Sequence, residues 1–266
     1  MSNLEVFCIT NKKIKNLEKL NLKLVGVGKD DFPENYINTK IGQNIQNKEK
    51  FYSELVFHYW FWKNQLCKYE DNIWIGFCQK RRFWVRRNID IKNFKQIKEN
   101  ILYEIPKDWE NYEVILCNPI KVNNAKKMKM LKRGWRNLLV EPSIFFDISK
   151  QNIKLQFDMF HGYGILDKAI ELLDYEEVED FKKYVNSKTE FSPNIMFITK
   201  KKIMLRYFES VFKWLIKCEK IFGFEKLKGY ETGRLYAYLA ERYLSYWFEK
   251  HYKVKYSPWI FFDKYD

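Results

Sequence analysis

The sequence of 266 residues lacks the signatures of several large functional classes. It has three histidines and no HExxH or other zinc-binding spacing. Its five cysteines, Cys8, Cys67, Cys78, Cys117 and Cys218, are odd in number, far apart and without a CxxC pair. That argues against a zinc module and a disulfide framework, and favours reduced thiols in apolar runs, as in a cytoplasmic protein. No stretch approaches the ~20 apolar residues that cross a bilayer, and the opening MSNLEVFCITNKK has no apolar signal region, so a cytoplasmic location is expected. There is no GxxxxGK[ST], which disfavours a P-loop kinase or ATPase, and the GVG at 26–28 lacks the rest of a GxGxxG. No convincing DxD follows a strand, since Asp30 and Asp31 are adjacent and Asp90 stands alone in IDI. Internal repeats, low-complexity linkers and domain boundaries are also missing, so residues 1–266 are expected to form a single domain.

What the chain does have is apolar mass and positive charge. Its 46% hydrophobic and 18% aromatic content can offset the entropy of ordering the chain, which excludes disorder. The 48 basic and 34 acidic residues leave a net charge of +14, which implies attraction to phosphate groups of nucleic acid, anionic lipid or a nucleotide. A nucleic-acid-binding protein is disfavoured, because the aromatics fall at core-like spacing and no RRM, zinc-finger or helix-turn-helix pattern is present.

Short β-rich runs alternate with helical ones. LEVFCIT (4–10), KLVGVG (23–28), NIWIGFCQ (72–79), YEVILCN (112–118) and NIMFITKK (194–201) read as buried strands. Residues 50–66 place Phe51, Leu55, His58, Trp62 and Leu66 at three- or four-residue spacing and read as one helix with an aromatic face. One or two helices are expected over 165–185 and long ones over 203–221 and 232–250, whereas lysine-rich 120–160 has little periodicity and reads as a lid or insertion. The alternation predicts an α/β fold with a mostly parallel sheet flanked by helices: a core over 1–202 and a C-terminal helical portion, 203–266, packed on it.

In open α/β sheets ligands bind beyond the carboxyl ends of the strands. Gln79, Lys80, Arg81 and Arg82 leave a strand at such an end, and paired guanidiniums suit the oxygens of a diphosphate. Surface ion pairs with Asp or Glu are the competing reading. Thr10, Asn11 and Lys12 leave the first strand in the same sense. Gly26 and Gly28 end the second, either to let a ligand approach the backbone or simply to turn. On the aromatic helix, Glu54 and Lys63 are candidates and His58 reads as a packed residue. A general base would come from Asp158, His161, Asp167 or Glu241, which spacing alone does not rank. Glu241 and Arg242 lie inside an apolar helix, where an ionised pair must be mutually satisfied or face a site.

Four motifs in order carry a resemblance to a family. YSELVFHYWFWKN (52–64) resembles YCELTxxYWxWKN, and IGFCQKRRFW (75–84) resembles IGLCHYRRYF. NIMFITKK (194–201) resembles NMFIMKK, and LAERYLSYW (239–247) resembles the end of RVFGFxAERLLxxW. The pattern is that of the DUF4422 family of capsular and exopolysaccharide biosynthesis proteins, whose relatives include galactofuranosyltransferases. The resemblance implies a GT-A-like glycosyltransferase using a UDP-sugar, with a furanose such as galactofuranose or its N-acetylamino form as the sugar. Its partners would be the nucleotide-sugar donor and a glycan or lipid-linked glycan acceptor, with no nucleic acid. It would work at the cytoplasmic face of the inner membrane, where contact with anionic lipid or other capsule enzymes is expected.

The family positions carried over include Asn44, Glu54, Lys63, Asn64, Arg81, Arg82, Glu241 and Arg242. With Thr10, Asn11, Lys12, Gly26 and Gln79, the donor set comprises all of these but Glu241. The order of preference for the base is Asp167, Glu241, His161. No metal ligand set is assigned and no cofactor beyond the donor; Mn2+ or Mg2+ is not favoured. Two departures stand out: the family's His-Tyr before the arginines is Gln79-Lys80 here, and its Asp-Asn is Gln43-Asn44. They support a rival reading as a non-catalytic scaffold of polysaccharide assembly.

Overall fold

The computed structural model describes residues 3–264. Its strands are β1 (Leu4–Thr10), β2 (Lys23–Gly26), β3 (Ile37–Asn38), β4 (Trp74–Gln79), β5 (Arg82–Trp84), β6 (Val114–Cys117), β7 (Ile120–Lys121), β8 (Glu190–Phe191), β9 (Phe197–Lys200), β10 (Val254–Ser257) and β11 (Trp259–Phe261). Its α-helices are α1 (Glu49–Tyr52), α2 (Leu55–Asn64), α3 (Phe94–Asn100), α4 (Lys127–Arg133), α5 (Trp135–Val140), α6 (Ile153–His161), α7 (Ile165–Ile170), α8 (Tyr175–Ser187), α9 (Lys201–Phe222), α10 (Gly229–Gly233) and α11 (Leu235–His251). The chain divides into two compact units. One takes the residues up to Asn118, Asn194–Ser210 and those from Phe248 onward; the other takes Pro119–Pro193 and Val211–Trp247.

The first unit is built on a nine-stranded sheet with the order β10-β6-β9-β4-β1-β2-β3, to which β5 and β11 add beyond β4. The pairs β10–β6, β4–β1, β1–β2 and β2–β3 are parallel, and β9 runs antiparallel between β6 and β4. Strands covered on both faces read as continuous apolar runs, as β4 (WIGFCQ) does with all six residues buried. Gly76 lets β4 and β9 close, since a Cβ there would stand 2.7 Å from the Ile198 side chain. One face of the sheet carries an aromatic cluster in which Phe7, Phe57, Phe61, Phe77, Phe197 and Phe208 meet with centroids 5.0 to 6.2 Å apart. His58 belongs to this core: it lies 4.3 Å from the Phe77 ring, and neither ring nitrogen has a hydrogen-bond partner. Burial pushes its pKa down to about 3, so it is a neutral packing residue.

Several elements differ from the sequence reading for local reasons. The helix expected over 50–66 is two helices, because Ser53 turns the chain at φ 51° between α1 and α2. The α2 helix is buried at Leu55, Val56, Phe57, His58, Trp60 and Phe61, which is more than one face. The strand expected to reach residue 28 stops at Gly26, and Gly28 has φ +91°. After α11 the chain returns to the sheet as β10 and β11, so the portion from 203 is helical only as far as His251.

The second unit contains the region 120–160, which folds into α4, α5 and α6 with the short pair β7–β8. Asn152 caps α6 by accepting from the Leu155 N–H at 2.9 Å. Met130, Ile144, Leu155 and Met159 form a small core beneath α4 and α5. Phe181 packs on Trp214, Tyr243 and Tyr246, and the Trp214 indole donates to the Ala169 carbonyl at 2.7 Å. Among the described residues no helix is long and apolar enough to cross a membrane.

Candidate functional site

The strand order of the first unit sets the place to look. The chain runs from β1 outward through β2 and β3, then returns to the other side of β1 as β4, so the order reverses between β1 and β4. Ligands of open α/β sheets bind at the carboxyl ends on either side of such a reversal. Those ends are Thr10 and Gln79, and Gln79 is in register with Ile9. Buried Thr10 closes a tight turn, its hydroxyl donating to the Lys12 carbonyl at 2.5 Å and accepting from the Lys12 N–H at 3.1 Å. This leaves Lys12 exposed. Asn11 bridges the two sides of the reversal: Lys80 Nζ donates to its Oδ1 at 2.6 Å, and its Nδ2 donates to Glu49 Oε1 at 3.3 Å.

Gln79 is buried and uses both ends of its amide. Its Nε2 donates to the Asn194 carbonyl at 2.5 Å, and its Oε1 accepts from Arg82 Nη1 at 2.9 Å. Asn194 and Ile195 have φ of 76° and 52°, a region costing roughly 1–3 kcal/mol for such residues, so Gln79 fastens a strained turn just before β9. A neutral imidazole also offers one donor and one acceptor. The amide therefore makes the two contacts that a histidine at this position could make.

Arg81 and Arg82 both stack on the Phe261 ring, at 5.6 and 5.5 Å from its centroid. Phe261 arrives on β11, and the Phe262 N–H donates to the Arg81 carbonyl at 2.9 Å. Among the described residues no carboxylate forms an ion pair with either guanidinium, and Arg81 Nε is buried without a partner. The competing reading of these arginines as members of surface ion pairs is not the arrangement present.

The remaining candidates of the first unit lie outside this net. Asn44 and Asn64 serve the backbone: Asn44 Nδ2 donates to the Gly42 carbonyl at 2.9 Å, and Asn64 binds the Gln43 N–H at 3.0 Å and the Gln43 carbonyl at 2.9 Å. Lys63 is exposed, with its ammonium 3.3 Å above the Trp62 ring. Glu54 stands at the N-terminal end of α2. Gly26 does not offer open backbone, because a Cβ there would meet the Phe32 ring at 2.3 Å. It does line a pocket of about 340 Å3 at the ends of β2 and β3, together with Asp30, Asp31, Tyr36 and Lys40.

Arg242, Glu241, His161 and Asp167 belong to the second unit. Arg242 is fully buried between the rings of Phe191 and Phe157, at 4.3 and 5.5 Å. It donates to the Glu241 carboxylate, to Gln156 Oε1 at 2.6 Å and, more loosely, towards His161 Nε2 at 3.5 Å. His161 stacks on Tyr238 at 3.8 Å, and its Nδ1 is 2.7 Å from the Glu231 carbonyl, which assigns the proton to that nitrogen. Burial and then the Arg242 cation push its pKa down to about 3. Asp167 is ion-paired with Lys154 at 3.1 Å, and the same ammonium meets buried Asp158 at 2.9 Å. Burial opposes the charge on Lys154, but the two carboxylates outweigh it and its pKa is raised.

Sequence reasoning missed Asn194, Glu49, Lys154 and Phe261. The adjacency of SPN to a strand was a signal for Asn194; nothing local marked the others. Among the described residues no three His, Cys, Asp or Glu side chains converge as metal ligands.

Comparison with known proteins places this fold. Over 99% of its length the chain matches a solved structure of the WbbM bifunctional glycosyltransferase in its apo form, with a TM-score of 0.74 and 20% sequence identity. At that identity the likeness is one of fold: a central, mostly parallel sheet flanked by helices. The chain spans 46% of that protein's length. Residues 5–252 match the model of a domain of unknown function, DUF4422, and the chain belongs to that family. No curated protein matches it.

Proposed function

We propose that the protein is a glycosyltransferase that holds a UDP-activated sugar by its diphosphate at the carboxyl edge of the first unit. The observation that carries this reading is the pair Arg81 and Arg82, ordered on Phe261 at the strand-order reversal with no carboxylate ion-paired to either among the described residues. Sugar transfer passes through an oxocarbenium-like state while negative charge grows on the departing diphosphate, and fixed cations stabilise that charge where it develops. Lys12 and Lys80 add charge beside the same two strand ends. On this reading the guanidiniums neutralise the leaving group, and Mn2+ or Mg2+ is not called on.

The resemblance carried by the motifs supports a furanose donor, galactofuranose or its N-acetylamino form, transferred with inversion to a growing surface polysaccharide. The scaffold reading drew on two departures, Gln43 for the family's Asp and Gln79 for the His before the arginines. Gln79 weakens that support, because its amide supplies both a donor and an acceptor.

Inversion needs a base for the acceptor hydroxyl. Asp167 comes first, its side chain 36% exposed. Glu241 is tied to Arg242, and both ring nitrogens of His161 face partners. Asp167→Asn should abolish turnover and leave UDP affinity within about twofold, as expected of a group that acts only in the chemical step; retained turnover would move the role to Glu241. The parent experiment is thermal shift and turnover across pyranose and furanose UDP-sugars. Stabilisation by UDP and turnover of one donor support the reading. Tight binding of a random oligonucleotide with no response to UDP would replace it with nucleic-acid binding.

A further inference from the structure

The helices α4 and α5 of the second unit nearly continue one another through Gly134, whose N–H donates to the Met130 carbonyl at 2.7 Å while its carbonyl accepts from the Leu138 N–H at 3.0 Å. Their inner side is complete, with Met130 buried and Leu138 packed over the small core. Their outer side carries apolar residues with no cover: Met128 is 76% exposed, Leu139 73% and Val140 76%, with Leu131 and Trp135 about half exposed and Phe146 at 80% just beyond. The spacing of 128, 131, 135 and 139 sets four of them in one stripe. Interleaved with them are Lys126, Lys127, Lys129, Lys132, Arg133 and Arg136, all exposed. From residue 119 to residue 140 the sequence contains no Asp or Glu. Arg133 meets Glu231 at 2.5 Å, and among the described residues no carboxylate is ion-paired with the other five.

We propose that this face docks on the surface of an anionic lipid bilayer. Cations flanking an apolar stripe with a tryptophan are the composition of a helix that lies in the headgroup region, its apolar side sunk into the acyl boundary and its lysines on the phosphates. The charge pattern selects the partner: a second copy of the same basic face would be repelled. A nucleic acid would use the cations but leave Met128, Leu139 and Val140 in water, since aliphatic side chains offer bases little to stack on. The inference is independent of the transferase reading and holds whatever the first unit binds.

The test is flotation of the full chain with two kinds of vesicle, phosphatidylcholine alone and phosphatidylcholine mixed equally with phosphatidylglycerol. Binding is expected to the mixed vesicles and to weaken as salt is raised. Met128→Ser with Leu139→Ser and Val140→Ser should reduce it by about tenfold or more through lost apolar insertion. Lys126, Lys127, Lys129 and Lys132 changed together to Gln should reduce it as much and flatten the salt dependence. All the altered side chains are exposed, so both variants should melt with the parent, which separates lost binding from lost fold. The proposal is overturned if the parent floats with neither vesicle or if both variants float like the parent. An oligonucleotide that displaces the protein only through the lysines, with the serine variant binding normally, also overturns it.

Discussion

Arg242 in the second unit and the pair Arg81–Arg82 in the first are guanidiniums in opposite circumstances. Arg242 is fully buried, and its Nη groups donate to Glu241, Gln156 and the edge of His161, while its Nε, like that of Arg81, has no partner. Arg81 and Arg82 are half-buried, share one aromatic ring, and among the described residues have a single side-chain acceptor between them, Gln79. A buried cation neutralised by a carboxylate inside the protein contributes to structure. One held in place but not neutralised keeps its field for something else. All three arginines lie in stretches that resemble motifs of the family, so the resemblance does not distinguish the two uses, and only the partners do.

The largest expected effect comes from breaking the satisfied side. Arg242→Ala leaves Glu241 and His161 without their shared partner and should cost about 3–5 kcal/mol in urea denaturation, the range for breaking a buried ion pair. A loss below about 1 kcal/mol would put Arg242 in the same class as the arginines of the sheet edge.

Acid should act next. The pKa of His58 and of His161 is lowered to about 3 in the folded protein, while in the unfolded chain each titrates near 6.5. Between these values the unfolded state binds more protons, so stability is full above pH 6.5 and falls as the pH drops towards 3. The expected loss is on the order of 3 kcal/mol per histidine at pH 4, from these two groups alone. His58→Leu should remove its share of that slope without a large cost at pH 7, because the imidazole it replaces makes no hydrogen bond. An unchanged acid slope in this variant would contradict the burial account.

The unneutralised side should show the converse pattern. Arg81→Ala and Arg82→Ala are each expected to leave the melting temperature near the parent's and to weaken UDP binding about tenfold to a hundredfold, the worth of a charge-assisted contact. Titration calorimetry with UDP decides, and a variant that melts early while binding normally would reverse the comparison. The smallest effect belongs to Gln79→His, which preserves one donor and one acceptor and should hold UDP affinity within about threefold. Gln79→Leu removes the bonds to Arg82 and to the strained turn at Asn194, and should lower affinity more than the histidine does.

How much of this could be read in advance depended on the distance over which each feature is encoded. The strands β1, β4 and β6 announced themselves as short apolar runs, and the arginines at the end of β4 were visible as soon as the strand was. The helices of 120–160 were not, since α4 and α5 have seven and six residues, too few turns for a periodicity to emerge among so many lysines. Ser53 hid a break inside an otherwise helical pattern. The role of Gln79 was invisible because its partner Asn194 lies far along the chain, and His58 was correctly read as packing because its whole neighbourhood is aromatic.

The Phe261 ring beneath Arg81 and Arg82 has a kinetic implication. It is delivered by β11, which pairs with β5 across about two thirds of the sequence, so a long loop must close before the stacking forms. During synthesis the two guanidiniums emerge before the strand that carries Phe261 and wait, uncovered, until it follows. Competence of this edge should therefore wait on the arrival of β11, well after β4 and β5 are made.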